Sequence, residues 1–163
     1  AQQKYQTTLV EINSIAKEIR ARGHAHRSEL FLLEKSKASE ALAAEFGVAA
    51  NTYLYHSVML HFENNEPIQV EARRVNPSVA PEYLQQDFSR TTPNEYLLEN
   101  VPLQSGEYTV EALPAPEAIA EMLHIKKHEA CLVLQRKTLS MNQVATLVTM
   151  WHPGARYQFS GKI

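Results

Sequence analysis

The sequence predicts an α+β fold: one antiparallel sheet built from two helix–hairpin units, with helices packed against it. A short helix over Ser39–Phe46 precedes a hairpin whose turn centres on Asn64-Asn65, and another over Glu117–Leu123 precedes a hairpin turning at Met141-Asn142. Both hairpins close on an X-Pro pair, Asn76-Pro77 and His152-Pro153, at nearly the same spacing, so the halves form a pseudo-repeat of architecture with little identity. At 163 residues and 44% apolar content the chain is long enough for one domain, residues 1–163, with a sizeable core.

Each element has a local reason. Leu9, Ile12, Ile15, Ala16 and Ile19 recur at helical spacing over residues 8–22, with Gly23 at the stop. Leu30–Leu33 make a short strand, and Ser39 caps the helix that ends at Phe46 before Gly47. Two long strands over Thr52–Val75 flank Glu63-Asn64-Asn65-Glu66. A polar stretch, Ser78–Arg90, holds a helical turn near Tyr83 and Leu84. Thr92 opens a helix to about Glu99, Tyr108–Leu113 alternate as a strand, and Pro114–Leu123 make a helix with proline in its first turns. Ala130–Leu139 and Val144–Trp151 form the second hairpin, and Tyr157–Gly161 are expected to add an edge strand.

Composition excludes several function classes. The 16 basic and 18 acidic residues leave a net charge of −2, which argues against gripping nucleic acid or an anionic membrane by bulk electrostatics. No apolar run approaches the ~20 residues of a membrane span, and no signal-peptide pattern opens the chain. The lone Cys131 excludes an intrachain disulfide and any CxxC metal site, so a reducing, cytoplasmic setting is expected. The start Ala1-Gln2-Gln3 is that expected of a fragment. The seven histidines include His124 and His128, four apart, but they straddle a helix end without an HExxH pattern; with His24 and His26 in a polar connection, no metal or other cofactor is expected. No GxSxG elbow or glycine-rich phosphate loop supports catalysis.

Patterning sets the register of the first hairpin. A bulged or three-residue loop gathers Val58, Leu60, Phe62, Ile68, Val70 and Ala72 on one apolar face. The opposite face then carries Ser57, Met59, His61, Gln69, Glu71 and Arg73, a donor–acceptor mix suited to a small polar ligand. It also fits a solvated sheet face with a Glu71–Arg73 ion pair. In Arg90-Thr91-Thr92-Pro93-Asn94-Glu95, Thr92 and Glu95 form a capping box, and Pro93 takes the first helical position. With Arg90 and the Thr91 and Thr92 hydroxyls beside it, that helix start is a candidate anion site; the same string also describes a well-capped helix with an exposed arginine. Glu111, an acid on an otherwise apolar strand, is a candidate acceptor for a ring N–H or a residue facing water. Trp151 and Tyr157 flank His152-Pro153-Gly154, where an aromatic wall for a flat ligand could form, although strand aromatics also simply pack.

Four segments carry a family resemblance: His56–Asn64, Glu71–Pro77, Arg90–Leu97 and His152–Tyr157. They resemble the effector domain of histidine-utilization repressors, the HutC branch of the GntR superfamily. That domain is named UTRA and has the fold of chorismate lyase. The resemblance runs from about Leu9 to the C-terminus, and its most specific parts are the Arg90–Glu95 string and Val75-Asn76-Pro77.

The resemblance implies a sensor: a homodimer that releases operator DNA when effector binds, through an N-terminal winged helix-turn-helix absent from this sequence. For this branch the effector is urocanate, an imidazole joined to an acrylate. Its carboxylate would meet Arg90 and the Thr91/Thr92 helix start, and its ring N–H a carboxylate such as Glu71 or Glu111. Related sugar-phosphate sensors resemble the chain with an arginine where His61 stands, and histidine fits a smaller anion. The sequence departs from the family at Ala72, usually an acid, and Arg74, usually an aromatic; both fall on the core-packing side of the hairpin. Ligand contacts are therefore expected from Ser57, His61, Glu71, Arg73, Arg90, Thr91, Thr92, Glu111 and Tyr157. The alternative is a chorismate-lyase-like enzyme acting on a small aromatic-type acid.

Overall fold

A computed structural model describes residues 14–102 and 105–160. The first helix, α1 (Ile15–Ala21), starts at Ser14, whose hydroxyl accepts from the Ala16 amide. The expected turns before it, with Leu9 and Ile12, lie outside the described residues. The chain continues through β1 (His26–Lys37), α2 (Glu40–Phe46), β2 (Tyr53–Glu63) and β3 (Glu66–Val75). A 3-10 turn (Tyr83–Gln85), α3 (Pro93–Asn100), β4 (Ser105–Pro114), α4 (Glu117–Leu123), β5 (Ala130–Ser140) and β6 (Gln143–Pro153) complete it.

The strands form one six-stranded antiparallel sheet in the order β1-β2-β3-β6-β5-β4. Each half is thus strand, helix, hairpin, and the halves meet at β3 and β6. The pseudo-repeat extends to the turns. Asn64 and Asn65, like Met141 and Asn142, have positive φ, as a two-residue type I′ turn requires. In both hairpins a one-residue bulge follows at the same distance from the turn, at Ile68 and at Ala145.

The first bulge sets the face of the sheet. Val58 pairs with Ala72 and Leu60 with Val70, whereas Ser57, Met59, His61, Gln69, Glu71 and Arg73 share the other side, as alternation predicts. Ile68 departs from that prediction. As the extra residue it leaves the Val58–Val70 face and packs against Ile15 and Ile19 of α1.

Two layers cover the sheet. On one face α4 packs Ala120 and Leu123 against Leu60, Phe62, Val70 and Val133, while α2 packs Ala43 and Phe46 near Leu54. Gly47, in the left-handed conformation, ends α2. On the other face Tyr83, Phe88, Leu97 and Val101 from the 3-10 segment and α3 close over Tyr55, Met59 and Val75. Burying one such side chain contributes about 1.5–3 kcal/mol, so these clusters fix both layers relative to the sheet.

Three further expectations change. Leu30–Leu33 belong to a twelve-residue edge strand rather than a short one. Pro114 ends β4, and the helix after it begins at Glu117 with Pro116 as its N-cap. Tyr157–Ser160 form no strand; Arg156 holds this segment in place by donating to the carbonyls of Pro67, Leu123 and His124. Gly161 lies outside the described residues. Arg74 is half-buried on the α2 side, with the Ser36 hydroxyl 3.5 Å from Nη1. Among the described residues no helix is long and apolar enough to cross a membrane.

Candidate functional site

The bonded and the open halves of one cavity define the site. It measures about 290 Å³ and lies on the sheet face away from α2 and α4. Its floor is Gln69, Glu71 and Arg73 of β3, Met150 and His152 of β6, and Leu134 and Arg136 of β5. Ile15, Glu18 and Arg22, spaced along one side of α1, form one wall. Thr92 and Asn94 at the start of α3, and Tyr157 to Ser160, form the others.

The central floor is satisfied from within. Glu71 is 2% exposed, and both its oxygens accept: Oε1 from His61 Nε2 at 3.1 Å and Oε2 from Arg73 Nε at 3.1 Å. Burial alone would raise this carboxyl, but the Arg73 charge and the His61 hydrogen bond prevail and hold it at about 2. Arg73 also donates to Thr146 Oγ1 at 3.2 Å. Because an ionised Glu71 can only accept, His61 carries its proton on Nε2. His61 Nδ1 lies 3.0 Å from His26 Nε2. Burial first, then His61, lowers His26 to about 4, keeping it neutral near pH 7.

One end of the cavity is cationic and incompletely bonded. Arg136 donates from Nη2 to Asn94 Oδ1 at 3.1 Å. Its Nε and Asn94 Nδ2 are buried donors with no partner among the described residues. Burial and the neighbouring Arg73 charge lower the Arg136 guanidinium to about 10. A buried donor left unpaired costs about 1–3 kcal/mol, and both donors belong to residues that line the cavity. Thr92 beside them is committed to its cap, accepting from the Glu95 amide at 3.1 Å while Glu95 accepts from the Thr92 amide at 3.1 Å.

The other end is aromatic. From Gln69 to Arg73 the strand advances ~13 Å at ~3.3 Å per residue, which separates the two ends. His152 and Tyr157 stack at 4.2 Å between ring centroids, and Phe159 meets both edge-on. His152 Nδ1 donates to the Leu132 carbonyl at 3.0 Å, so its Nε2 accepts from Gln69 Nε2. Burial lowers this imidazole to about 4. Tyr157 Oη donates to Glu18 Oε2 at 3.1 Å, and burial raises the Glu18 carboxyl.

Of the residues expected from sequence to hold a ligand, Glu71, Arg73, Thr92 and Tyr157 line this cavity. The others do not. Ser57 is buried against Tyr83, their hydroxyls 2.7 Å apart. His61 is 0% exposed and lies behind Glu71. Arg90 and Thr91 border a separate cleft; the Arg90 side chain is 87% exposed, 3.9 Å from Asp87. Glu111 is exposed on edge strand β4 and, paired with Val133, points to the helix-covered face. Residues not anticipated are Arg136, Asn94, Glu18 and Arg22, with Gln69 and His152 completing the floor. Among the described residues no group of three or more His, Cys, Asp or Glu is placed to hold a metal ion.

The sheet is backed by helices on one face and carries, on the other, a cavity that is cationic at one end and aromatic at the other. The UTRA domain model matches residues 21–158. A histidine utilization repressor from Klebsiella aerogenes is 42% identical over 99% of this chain and 67% of its own. A crystal structure of the C-terminal domain of the histidine utilization repressor from Pseudomonas syringae pv. tomato superposes with a TM-score of 0.82 at 37% identity, covering 85% of this chain and 99% of that one. The effector domain of PhnF from Mycobacterium smegmatis, at 13% identity, shares the fold with a TM-score of 0.85 over 94% of this chain and 96% of its own. The fold is thus the chorismate-lyase-like fold of GntR-type effector domains. The chain belongs to the UTRA family and, within it, to the histidine utilization repressors; it spans about two thirds of the length of the curated relatives it matches. Those relatives are repressors, which sets the enzymatic alternative aside.

Proposed function

We propose that this chain is the C-terminal effector domain of a histidine-utilization repressor and that its cavity takes urocanate. The observation that carries the reading is the pair of unpartnered buried donors, Arg136 Nε and Asn94 Nδ2, in one wall of a cavity whose far end is aromatic. A carboxylate supplies acceptors for both donors and offsets the repulsion between Arg136 and Arg73. A planar ring on a short rigid arm then reaches the apolar surface of Leu134, Met150 and Phe159. The α-ammonium of histidine would fall nearer the two guanidiniums, where Glu71 already pairs with Arg73 and His61.

In this reading an operator-binding domain precedes the chain, the repressor works as a cytoplasmic homodimer, and urocanate releases it from DNA without a metal or other cofactor. Calorimetry of this chain with urocanate, followed by recovery of the ligand, tests it. Saturable one-site binding with the ligand unchanged is expected; no binding, or a converted ligand, overturns the reading.

A further inference from the structure

We infer that Glu18 of α1 is the specificity-determining acceptor for the ring N–H of the effector; the inference rests on the urocanate reading and adds to it the group that tells an imidazole from other flat rings. It follows from comparing the polar side chains that α1, β3 and β6 bring to the aromatic end. Each oxygen of Glu71 already accepts one hydrogen bond, from His61 and from Arg73. His152 donates at Nδ1 and accepts at Nε2. The Gln69 amide nitrogen is spent on His152, which leaves its neutral oxygen. Glu18 differs from all of these. Tyr157 Oη holds Oε2, and Oε1 takes no hydrogen bond among the described residues while the side chain lines the cavity.

The chemistry agrees with the geometry. A half-buried carboxylate with one donor is under-solvated, which is why burial raises its pKa. A ring N–H pointed at Oε1 is the missing second donor, and a hydrogen bond to a charged acceptor is among the stronger ones. The opposite orientation, with the ligand carboxylate at Glu18, would set two anions together and leave Arg136 Nε and Asn94 Nδ2 unpaired.

The test compares two acids with the same acrylate arm: urocanate, and furylacrylate, whose ring has an oxygen in place of the N–H. The chain is expected to bind urocanate at least ~10-fold more tightly, the effect of about 1.4 kcal/mol in one hydrogen bond. Glu18→Met should weaken urocanate at least ~10-fold and leave furylacrylate within ~3-fold, so that furylacrylate binding itself reports a folded variant. Glu18→Gln, which keeps an acceptor oxygen, should retain part of the preference. Equal loss of both acids, or an unchanged preference in Glu18→Met, overturns the role of Glu18. Equal binding of the two acids by the unmodified chain overturns it as well and leaves the carboxylate site standing. Binding of neither acid overturns the effector reading itself.

Discussion

Arg136→Met should stabilise the empty domain and cripple its binding, two effects of opposite sign from one side chain. Burial and Arg73 lower the guanidinium from 12.5 to about 10. At about 1.36 kcal/mol per pH unit, holding that charge in the empty fold costs roughly 3 kcal/mol. The folded and unfolded values both lie above neutral pH, so the cost is constant through the neutral range. Methionine keeps the apolar stem but leaves Asn94 Oδ1 without its donor, a loss of about 1 kcal/mol. The net gain is about 1–2 kcal/mol, a rise in melting temperature of about 2–6 °C for a domain of this size. Losing a charge-assisted contact of about 1.5–3 kcal/mol should weaken urocanate roughly 10- to 150-fold. Thermal melts with and without urocanate read both effects: the variant melts higher when empty, and the order closes or reverses as ligand stabilises the unmodified chain. A variant that melts lower when empty and binds urocanate normally would refute the reasoning.

Two further outcomes follow from buried imidazoles and from the exposed arginine. His152 and His26 are each lowered from 6.5 to about 4, so the unfolded chain takes up protons that the folded one refuses. Their stabilising effect is complete above pH ~6.5 and is lost as pH falls toward 4, by up to about 3 kcal/mol from His152 and less from the half-buried His26. Urea unfolding at pH 7 and pH 5 checks this, and unchanged stability would contradict the burial assigned to His152. Arg90→Ala should alter urocanate affinity less than ~3-fold by calorimetry, because Arg90 projects into solvent outside the cavity; a tenfold loss would show that the arginine turns inward on binding.

What the sequence made legible was local. Alternation placed His61, Gln69, Glu71 and Arg73 on one face because a single apolar side must be buried, and the Thr92–Glu95 capping box is there as read. Ile68 escaped because a bulge breaks alternation at one residue without leaving a compositional mark. Arg90 is the arginine nearest the capping box in sequence, whereas the one that bonds Asn94 comes from β5, 42 residues away. Within Gln135-Arg136-Lys137 three polar residues run together, so only pairing with β6, Arg136 opposite Val148, decides which turns inward. Glu18 sits among Lys17 and Arg20 on what reads as a solvated helix side. Its role appears only when Ile15 and Ile19 seat α1 against Ile68.

The division between bonded and open groups bears on how such a domain could switch. His61, Glu71, Arg73 and Thr146 satisfy one another within the central strands, so the middle of the floor is a fixed surface. The open groups, Arg136, Asn94 and Glu18, come from β5, α3 and α1. Among the described residues a weak 3.5 Å ion pair, Arg20–Glu95, joins the two helices at the surface. A ligand spanning these groups joins two helices to the sheet, and its affinity depends on where both helices sit. That dependence is what control of a distant DNA-binding domain needs, because a ligand shifts an equilibrium only by its difference in affinity for the two states. An effector held by the sheet alone would bind both arrangements equally and shift neither, however tightly it bound.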